Sequence, residues 1–428
     1  MQLGTPRGVR DFGPSEAISL KYMTGVIEEI FKRFGFSPLD TPAIENLSIL
    51  DAKAAYSDEQ NKEIFKLDGE EAGLRYDLTV PLARYVASNR DIVLPFKRYQ
   101  IANSWRKDEP QRLRYREFVQ ADVDVIGSAE PDSDAEVIAA TLLAIEELGI
   151  TEYALLINSR QLLQNLLEFF KVPKDKETGA IRILDKLQKI GREGVLKQLK
   201  ELGVDSKAVQ SLLEFVEKEG DNETKLERLR TGVSGTEGEA SKMDELLGLL
   251  KPYGFRGRIA VDFSLARGFD YYTGFVWEVV MEEDGKRLPT IVSGGRYDKL
   301  IGTYSDRSIP AVGSSIGLSR IFDLIGGKTA TKTSALVFVA FVGDNKAYAA
   351  SVANALRAQG IYTDLNYTKR NLSKQLEYAG ALGMRYAAIV GDKERAASKI
   401  NLRDMLKGSE EMLTVQEATE RLKLENLE

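Results

Sequence analysis

Hydrophobic residues recur at helical spacing near the start of the chain, with Met23, Val26, Ile27, Ile30, Phe31 and Phe34 on one face. Pro14 suits a first helical turn and Gly35 a stop, so residues 14–34 predict one amphipathic helix. Two prolines, Pro38 and Pro42, then exclude helix, and residues 36–42 read as extended. Between Ile64 and Gly127 lie the β-rich runs IFKL, GLRYDLT, FKRYQIANSWR and REFVQADVDVIG. In the last of these, Phe118, Gln120, Val123 and Val125 are read as the alternation of a strand. A second amphipathic helix is expected over 134–148, closed by Gly149.

The pattern changes at about residue 172. Residues 172–252 are rich in Lys, Glu and Leu at helical spacing, as in ILDKLQKI, LKQLKEL and SLLEFVEK, and predict a helical insertion. Strand-like sequence resumes with RIAVDF, FVWEVVM and TIVSGG, the last two joined by a hairpin turn at Asp284-Gly285. A short helix at 317–325 and a small-residue linker at 326–333 follow. From 334 to 428, strand and helix patterns alternate as in a compact α/β domain. No internal repeat is visible.

Composition narrows the chemistry. The 428 residues include no His and no Cys, with 59 Lys+Arg against 65 Asp+Glu, a net charge of −6. Without these two residue types there is no Ser-His-Asp triad, no thiolate nucleophile, no imidazole base and no His- or Cys-based metal site. Carboxylates, Lys, Arg, Tyr, hydroxyls and backbone groups must suffice. At 43% hydrophobic and 29% charged the chain reads as globular. No apolar run approaches a membrane span, and MQLGTPRGVRDFGP lacks an apolar signal core, so a cytoplasmic location without membrane association is expected.

Gly327-Lys328-Thr329 resembles the end of a phosphate-binding loop, but Phe322 stands where its first glycine is needed, so it reads as linker. Residues 106–116 hold five basic side chains, Arg106, Lys107, Arg112, Arg114 and Arg116, against two acidic ones. A solvated charged hairpin would look the same. Yet planar guanidinium groups on one strand–loop–strand are what polyphosphate binding wants. In LARGFDYYTGFVWEVV (265–280), Tyr271 and Tyr272 on a strand would point to opposite faces, leaving one hydroxyl for any given ligand. SGGRYDKLIG (293–302) and AVGSSIGLSRI (311–321) combine small residues with one arginine each, Arg296 and Arg320.

Taken together and in order, GLRYDLTVPLARY, the arginine loop, FVQADVDVIG, RGFDYYTG, SGGRYD and the glycine-rich start of the Arg320 helix resemble the class II histidyl-tRNA synthetase family. The resemblance runs from TPRGVRDFGP through the last domain, and RYDLTVP matches the archaeal and eukaryotic branch. It implies an α+β catalytic domain over 1–325, a class II antiparallel sheet with helices, interrupted by the 172–252 insertion. After the 326–333 linker, residues 334–428 would form an α/β anticodon-binding domain. That domain has 13 basic and 12 acidic residues, so any RNA-facing surface must be a local patch, for which Lys369, Arg370 and Lys374 are candidates. Helix 14–34 and the Pro42 strand are similar to the class II dimer-forming motif, implying a homodimer.

The implied activity is histidine–tRNA ligation from L-histidine, ATP with Mg²⁺, and tRNA(His). The implied catalytic residues are Arg106, on the α-phosphate and the substrate carboxylate, and Arg267, approaching the same phosphate from the other side. Arg114 and Arg320 would hold the β- and γ-phosphates, Phe118 would stack on adenine, and Asp108 would meet its edge. Asp77 and Thr79 would bind the α-amino group, Asp124 and Tyr272 the two ring nitrogens, with Gln120 and Tyr271 completing the pocket. Mg²⁺ would enter on the ATP phosphates. The alternative is a non-catalytic relative, the synthetase-like regulatory subunit of ATP phosphoribosyltransferase, which generally lacks the C-terminal domain and has eroded arginines.

Overall fold

A computed structural model describes residues 3–52, 58–266, 271–326 and 331–425. The chain divides into two compact units, one of Met1–Arg10 and Met23–Ile325, the other of Asp11–Tyr22 and Gly326–Glu428. No helix among the described residues is long and apolar enough to cross a membrane.

Helix α1 (Pro14–Arg33) begins at the expected proline, and Gly35 follows with φ +74°, a conformation that ends a helix without a Cβ penalty. Its Met23, Ile27, Ile30 and Phe31, four of the six residues of the predicted stripe, are buried.

The first unit is organised by an eight-stranded sheet. Its strands in chain order are β1 (Ser37–Pro38), β2 (Phe96–Trp105), β3 (Glu117–Ile126), β4 (Ala154–Ser159), β5 (Arg258–Val261), β6 (Phe275–Val280), β7 (Val292–Arg296) and β8 (Ala311–Ile316). Their spatial order is β1-β2-β3-β8-β7-β6-β4-β5. The six inner strands are antiparallel, while β1 runs parallel to β2 and β4 parallel to β5. The sheet is therefore mixed at its edges rather than antiparallel throughout. The parallel edge has a cause: β4 and β5 are joined by a long helical crossover, and a parallel pair cannot be closed by a tight turn. That crossover holds α4 (Arg160–Phe169), α5 (Glu177–Leu184), α6 (Leu187–Glu201), α7 (Ser206–Glu217), α8 (Asn222–Gly232) and α9 (Glu237–Leu250). At the other predicted turn, Asp284 and Gly285 both take positive φ, 51° and 71°, between the paired residues 282–283 and 286–287. These are the signs a two-residue hairpin turn requires.

Helix α3 (Pro131–Glu147) starts three residues before the predicted 134, with Pro131 in its first turn; α2 is the helix Thr79–Ser88. The buried side chains of α3, Val137, Ile138, Ala140 and Ile145 among them, cover one face of the sheet at β3, β7 and β8. Against it β3 presents Ala121, Val123 and Val125, and Phe118, Gln120, Asp122 and Asp124 are left for the opposite face. The predicted alternation thus mixed two faces: Phe118 does not share one with Val123 and Val125.

In the second unit five strands, β9 (Val337–Phe341), β10 (Thr363–Leu365), β11 (Tyr386–Val390), β12 (Ile400–Asp404) and β13 (Glu410–Leu413), lie in the order β10-β9-β11-β12-β13. Both faces of β9 are buried: Val337 and Val339 in one apolar cluster with Val352 and Leu356, Phe338 and Ala340 in another with Ala379 and Met384. That two-sided burial explains the unbroken apolar run ALVFVAF. The covering helices are α11 (Lys346–Ala358), α12 (Leu372–Leu382) and α13 (Val415–Glu425), numbered after α10 (Leu318–Leu324) of the first unit.

Candidate active site

The sheet face opposite α3 carries a cavity of about 1130 Å³ counted to its open mouth. Asp77, Thr79, Arg106, Asp108, Arg114, Phe118, Gln120, Asp124, Tyr271, Tyr272 and Arg320 all line it. Every site residue expected from sequence is therefore brought to one place, except Arg267. Arg267 lies outside the described residues, as do Gly327, Lys328 and Thr329 of the discarded phosphate loop.

One end of the cavity is built by the arginine loop between β2 and β3. The Arg106 guanidinium lies over the rings of Tyr76 at 4.2 Å and Phe118 at 5.0 Å, and its Nε donates to the Tyr76 carbonyl at 3.1 Å. Two aromatic faces hold that cation in place by cation–π attraction. Arg114 donates to both oxygens of Asp108 at 2.6 Å, a bidentate pair that raises the guanidinium pKa further. Glu63 lies near, its carboxyl raised first by burial and also by the Asp108 charge. Leu113, buried and at φ 63°, turns the tip of the loop, a conformation uncommon for a leucine. Its carbonyl accepts from Arg320 Nε at 3.1 Å, and the Thr290 carbonyl accepts from Arg320 Nη1. The loop is braced from outside: Arg116 N–H donates to the Gly8 carbonyl, while Arg10 and Tyr115 both bond Asp323 of α10.

The other end is built by β3, β8 and the tyrosines. Residues 271–272 form a turn before β6, not the expected strand. Both rings therefore line the cavity, packed edge-on with centroids 4.9 Å apart. Asp77 Oδ1 accepts from the Thr79 and Val80 N–H groups at 3.0 and 2.9 Å, capping the start of α2 and fixing its own carboxylate at the wall. Gln120 Nε2 donates to Ser315 Oγ at 2.7 Å.

Beneath this end lies a buried polar group that the sequence reading missed. Arg98, fully buried on β2, sits opposite Asp124 in register, its Nη2 2.7 Å from Asp124 Oδ2. The Tyr297 hydroxyl donates to Asp124 Oδ1 at 2.5 Å. Asp122, one register step along, lines the cavity as well. Burial raises the carboxyls of both Asp122 and Asp124, with the Arg98 guanidinium pulling each the other way; Asp122 is pushed up to about 7. Burial also holds the Tyr297 hydroxyl well above its ordinary range, so it remains a donor.

The glycines of two motifs make room for this arrangement. A Cβ at Gly313 would sit 1.8 Å from Asp124 Oδ1, and one at Gly295 would meet the Phe275 carbonyl and the Tyr272 ring, both at 2.7 Å. Small residues there are required by side chains of the site itself. Arg296 does not face the cavity. It turns to α3, where it pairs with Asp134 and Asp298 and donates to the Ser128 and Glu130 carbonyls. Its neighbour Tyr297 is the residue of that box that reaches the site. Alternation could have found Asp122, which shares the parity of Gln120 and Asp124. Nothing local marks Arg98.

In the second unit a shallow groove is lined by Tyr367, Arg370, Gln375 and Tyr378, with Arg370 and Lys374 along its edge. Tyr367 is 76% exposed, and the Arg370 guanidinium stands 5.8 Å from the Tyr378 ring.

A largely antiparallel sheet with an arginine-rich polar cavity and an appended α/β unit is the architecture of a class II aminoacyl-tRNA synthetase. The profile described as histidyl-tRNA synthetase matches residues 8–321, and that described as anticodon binding domain matches residues 336–425. The chain belongs to the histidyl-tRNA synthetase family. It is 38% identical over 423 residues to a histidine–tRNA ligase of Aeropyrum pernix, covering 96% of each chain. It is 36% identical over 449 residues to one of Porphyromonas gingivalis, covering 97% of each. Identities this similar separate no branch within the family. The crystal structure of histidyl-tRNA synthetase from Nostoc sp. PCC 7120 superposes with a TM-score of 0.87 at 30% identity, over 99% of this chain and 100% of that one.

Proposed function

We propose that this chain is a histidine–tRNA ligase whose cavity forms histidyl-adenylate and passes the histidyl group to the terminal ribose of tRNA(His). The observation that carries the reading is the convergence of Arg106, Arg114 and Arg320 with Asp77, Gln120, Asp124 and Tyr272 on one wall-to-wall cavity. Guanidiniums stand at one end, a polar, acid-lined pocket at the other.

The chemistry asks little of a protein base. In the first step a histidine carboxylate oxygen, already ionised, attacks the α-phosphorus of ATP and diphosphate leaves. In the second, a ribose hydroxyl attacks the acyl carbon, AMP leaves, and a phosphate oxygen can take the hydroxyl proton. What the protein supplies is position and charge. Arg106, held between Tyr76 and Phe118, bridges the substrate carboxylate and the α-phosphate, and Arg267 approaches from the opposite side. Adenine stacks on Phe118. Arg114 is paired with Asp108 in the structure, so ATP binding exchanges that pair: Asp108 turns to the adenine edge, and Arg114 joins Arg320 on the outer phosphates. Asp77 and Thr79 take the α-ammonium, and Asp124 with Tyr272 reads the ring nitrogens, with Gln120 and Tyr271 closing the pocket.

Among the described residues no group of three or more acidic side chains could hold a metal ion. Mg²⁺ would come with the ATP, offsetting phosphate charge as part of the substrate. Residues 1–325 with the 172–252 insertion serve as the catalytic domain, and 334–428 after the 326–333 linker read the tRNA. The exposed Tyr367 beside Arg370 and Lys374 offers a stacking face with basic neighbours, what single-stranded RNA wants. The enzyme works as a homodimer in the cytoplasm.

Histidine-dependent ATP–pyrophosphate exchange by the purified protein tests the reading. Exchange with histidine, and none with proline or glycine, is the expected result. No exchange with histidine would overturn it, and would favour a non-catalytic regulatory role.

A further inference from the structure

Two acidic side chains face the cavity from alternate positions of β3, and the roles above use only Asp124. Asp124 is already engaged by Tyr297 and Arg98. Asp122 is 2% exposed, and its Oδ1 has no hydrogen-bond partner among the described residues. Beside it Gln120 Oε1 is likewise without a donor, its amide nitrogen being committed to Ser315. Buried acceptors are nearly always satisfied in a finished structure. Two of them at the wall of one cavity point to a ligand that brings N–H groups.

The charges facing Asp122 do not balance. Its own strand contributes Asp124; β2 contributes Arg98, with neutral Gln100 opposite in register; β8 contributes the Ser315 hydroxyl; the segment before α2 contributes Asp77 and Arg75. Arg75 itself donates to the Thr41 and Asn103 carbonyls. Tyr297, against Asp124, stays neutral. The Arg75 charge is answered by Asp40 before Asp122, so four carboxylates, Asp40, Asp77, Asp122 and Asp124, meet two guanidiniums. In a histidine complex the α-ammonium answers Asp77, and Arg106 answers the α-carboxylate. One buried negative charge is then left over at the Asp122–Asp124–Arg98 group.

We infer that Asp122 is a specificity-determining residue of the histidine pocket, whose open oxygen stands with Asp124 at one ring nitrogen, Tyr272 taking the other, and shares one proton with the ring. The inference rests on the cavity being the histidine site. Imidazolium beside carboxylate, or imidazole beside carboxylic acid, each brings the leftover charge to zero through a charge-assisted hydrogen bond. Sharing is favoured when two groups hold a proton about equally. Burial pushes Asp122 up to about 7, close to the ~6.5 of a free histidine side chain. A glutamine or asparagine side chain has no titratable ring and could not supply that proton, so the shared proton adds to discrimination by shape.

The test counts protons. Titration calorimetry of histidine into the full-length protein at pH 8, in two buffers of different ionisation enthalpy, gives the number exchanged on binding. At that pH the free ring and most of Asp122 have lost their protons, so uptake approaching one proton per histidine bound is expected. Wild-type Kd should then rise with pH above 8, at a limit of about tenfold per unit, the slope of one proton. Asp122→Asn, with an amide in place of the acid, should take up none and lose that slope; it also controls for titration of the α-ammonium. Wild-type binding without proton uptake overturns the inference while the site reading stands, and needs no variant to fold. Unchanged uptake in Asp122→Asn overturns it as well. Absence of histidine binding altogether overturns the site reading, and the inference with it.

Discussion

On the eight-stranded sheet, the cavity face of β2 and β3 buries Arg98, Gln100, Gln120, Asp122 and Asp124. On the C-terminal sheet, the central strands β9 and β11 bury Val337, Phe338, Val339, Tyr386, Ala388 and Val390. Both sets of side chains are buried, but only one is apolar. An apolar face stabilises its domain and can recognise little. A buried polar face costs desolvation and repays it in discrimination, because each fixed donor or acceptor penalises the wrong ligand. The C-terminal unit carries the groups proposed to meet RNA, Tyr367, Arg370 and Lys374, at the surface instead. A small amino acid must be enclosed to be read; an RNA segment can be read from outside.

The sharpest way to break this contrast is to remove the cation under the polar face. Arg98→Met leaves Asp122 and Asp124 buried without their guanidinium, and should cost about 3–5 kcal/mol in denaturant unfolding. A loss below ~1 kcal/mol would mean that water already reaches these groups. Arg106→Ala should lower histidine-dependent pyrophosphate exchange by ~10²–10³-fold, as loss of one preorganised charge donor does, with the unfolding midpoint nearly unchanged. Leu356→Ala, in the apolar core of the C-terminal unit, should cost about 2–5 kcal/mol. Exchange per folded molecule should stay at the wild-type rate, since the cavity is elsewhere. Tyr367→Ala should weaken tRNA by ~1–3 kcal/mol, read as a raised KM for tRNA in aminoacylation at constant exchange rate.

The last effect concerns pH. The folded Asp122 carboxyl, held up at about 7 from 3.8, keeps a proton that the unfolded chain has released. Stability from this group is therefore full below pH ~4 and is lost as pH rises toward 7. Asp134, raised to about 6 by burial against the pull of Arg296, acts in the same direction and is common to wild type and Asp122→Asn. The stability of Asp122→Asn relative to wild type should accordingly improve across that window. A pH-independent difference would show that Asp122 titrates normally.

How far the sequence reached follows the same division. The helix stop at Gly35, the Asp284-Gly285 hairpin and the apolar run of β9 are local signals, set by a φ angle or by two-sided burial, and they were legible. The cavity residues were legible as motifs because the arginine, tyrosine and glycine boxes are contiguous. What escaped depends on pairing between distant strands. Arg98 reads as one more surface base after Lys97 until register sets it opposite Asp124. Gly313 is one small residue among several in its motif until Asp124 is found within 1.8 Å of its absent Cβ. Arg296 is the one arginine of its box, yet the adjacent Tyr297 is the residue that lines the cavity, because neighbours along a strand point apart. Asp122 was within reach of parity alone.

A crystal structure of the protein with histidine bound tests the central claim most directly. The ring is predicted to lie on the polar face of β3, with its nitrogens in hydrogen-bond contact with Asp122, Asp124 or Tyr272 and the α-ammonium at Asp77. A ring placed at the arginine end, or one leaving all three of those side chains untouched, would contradict the account.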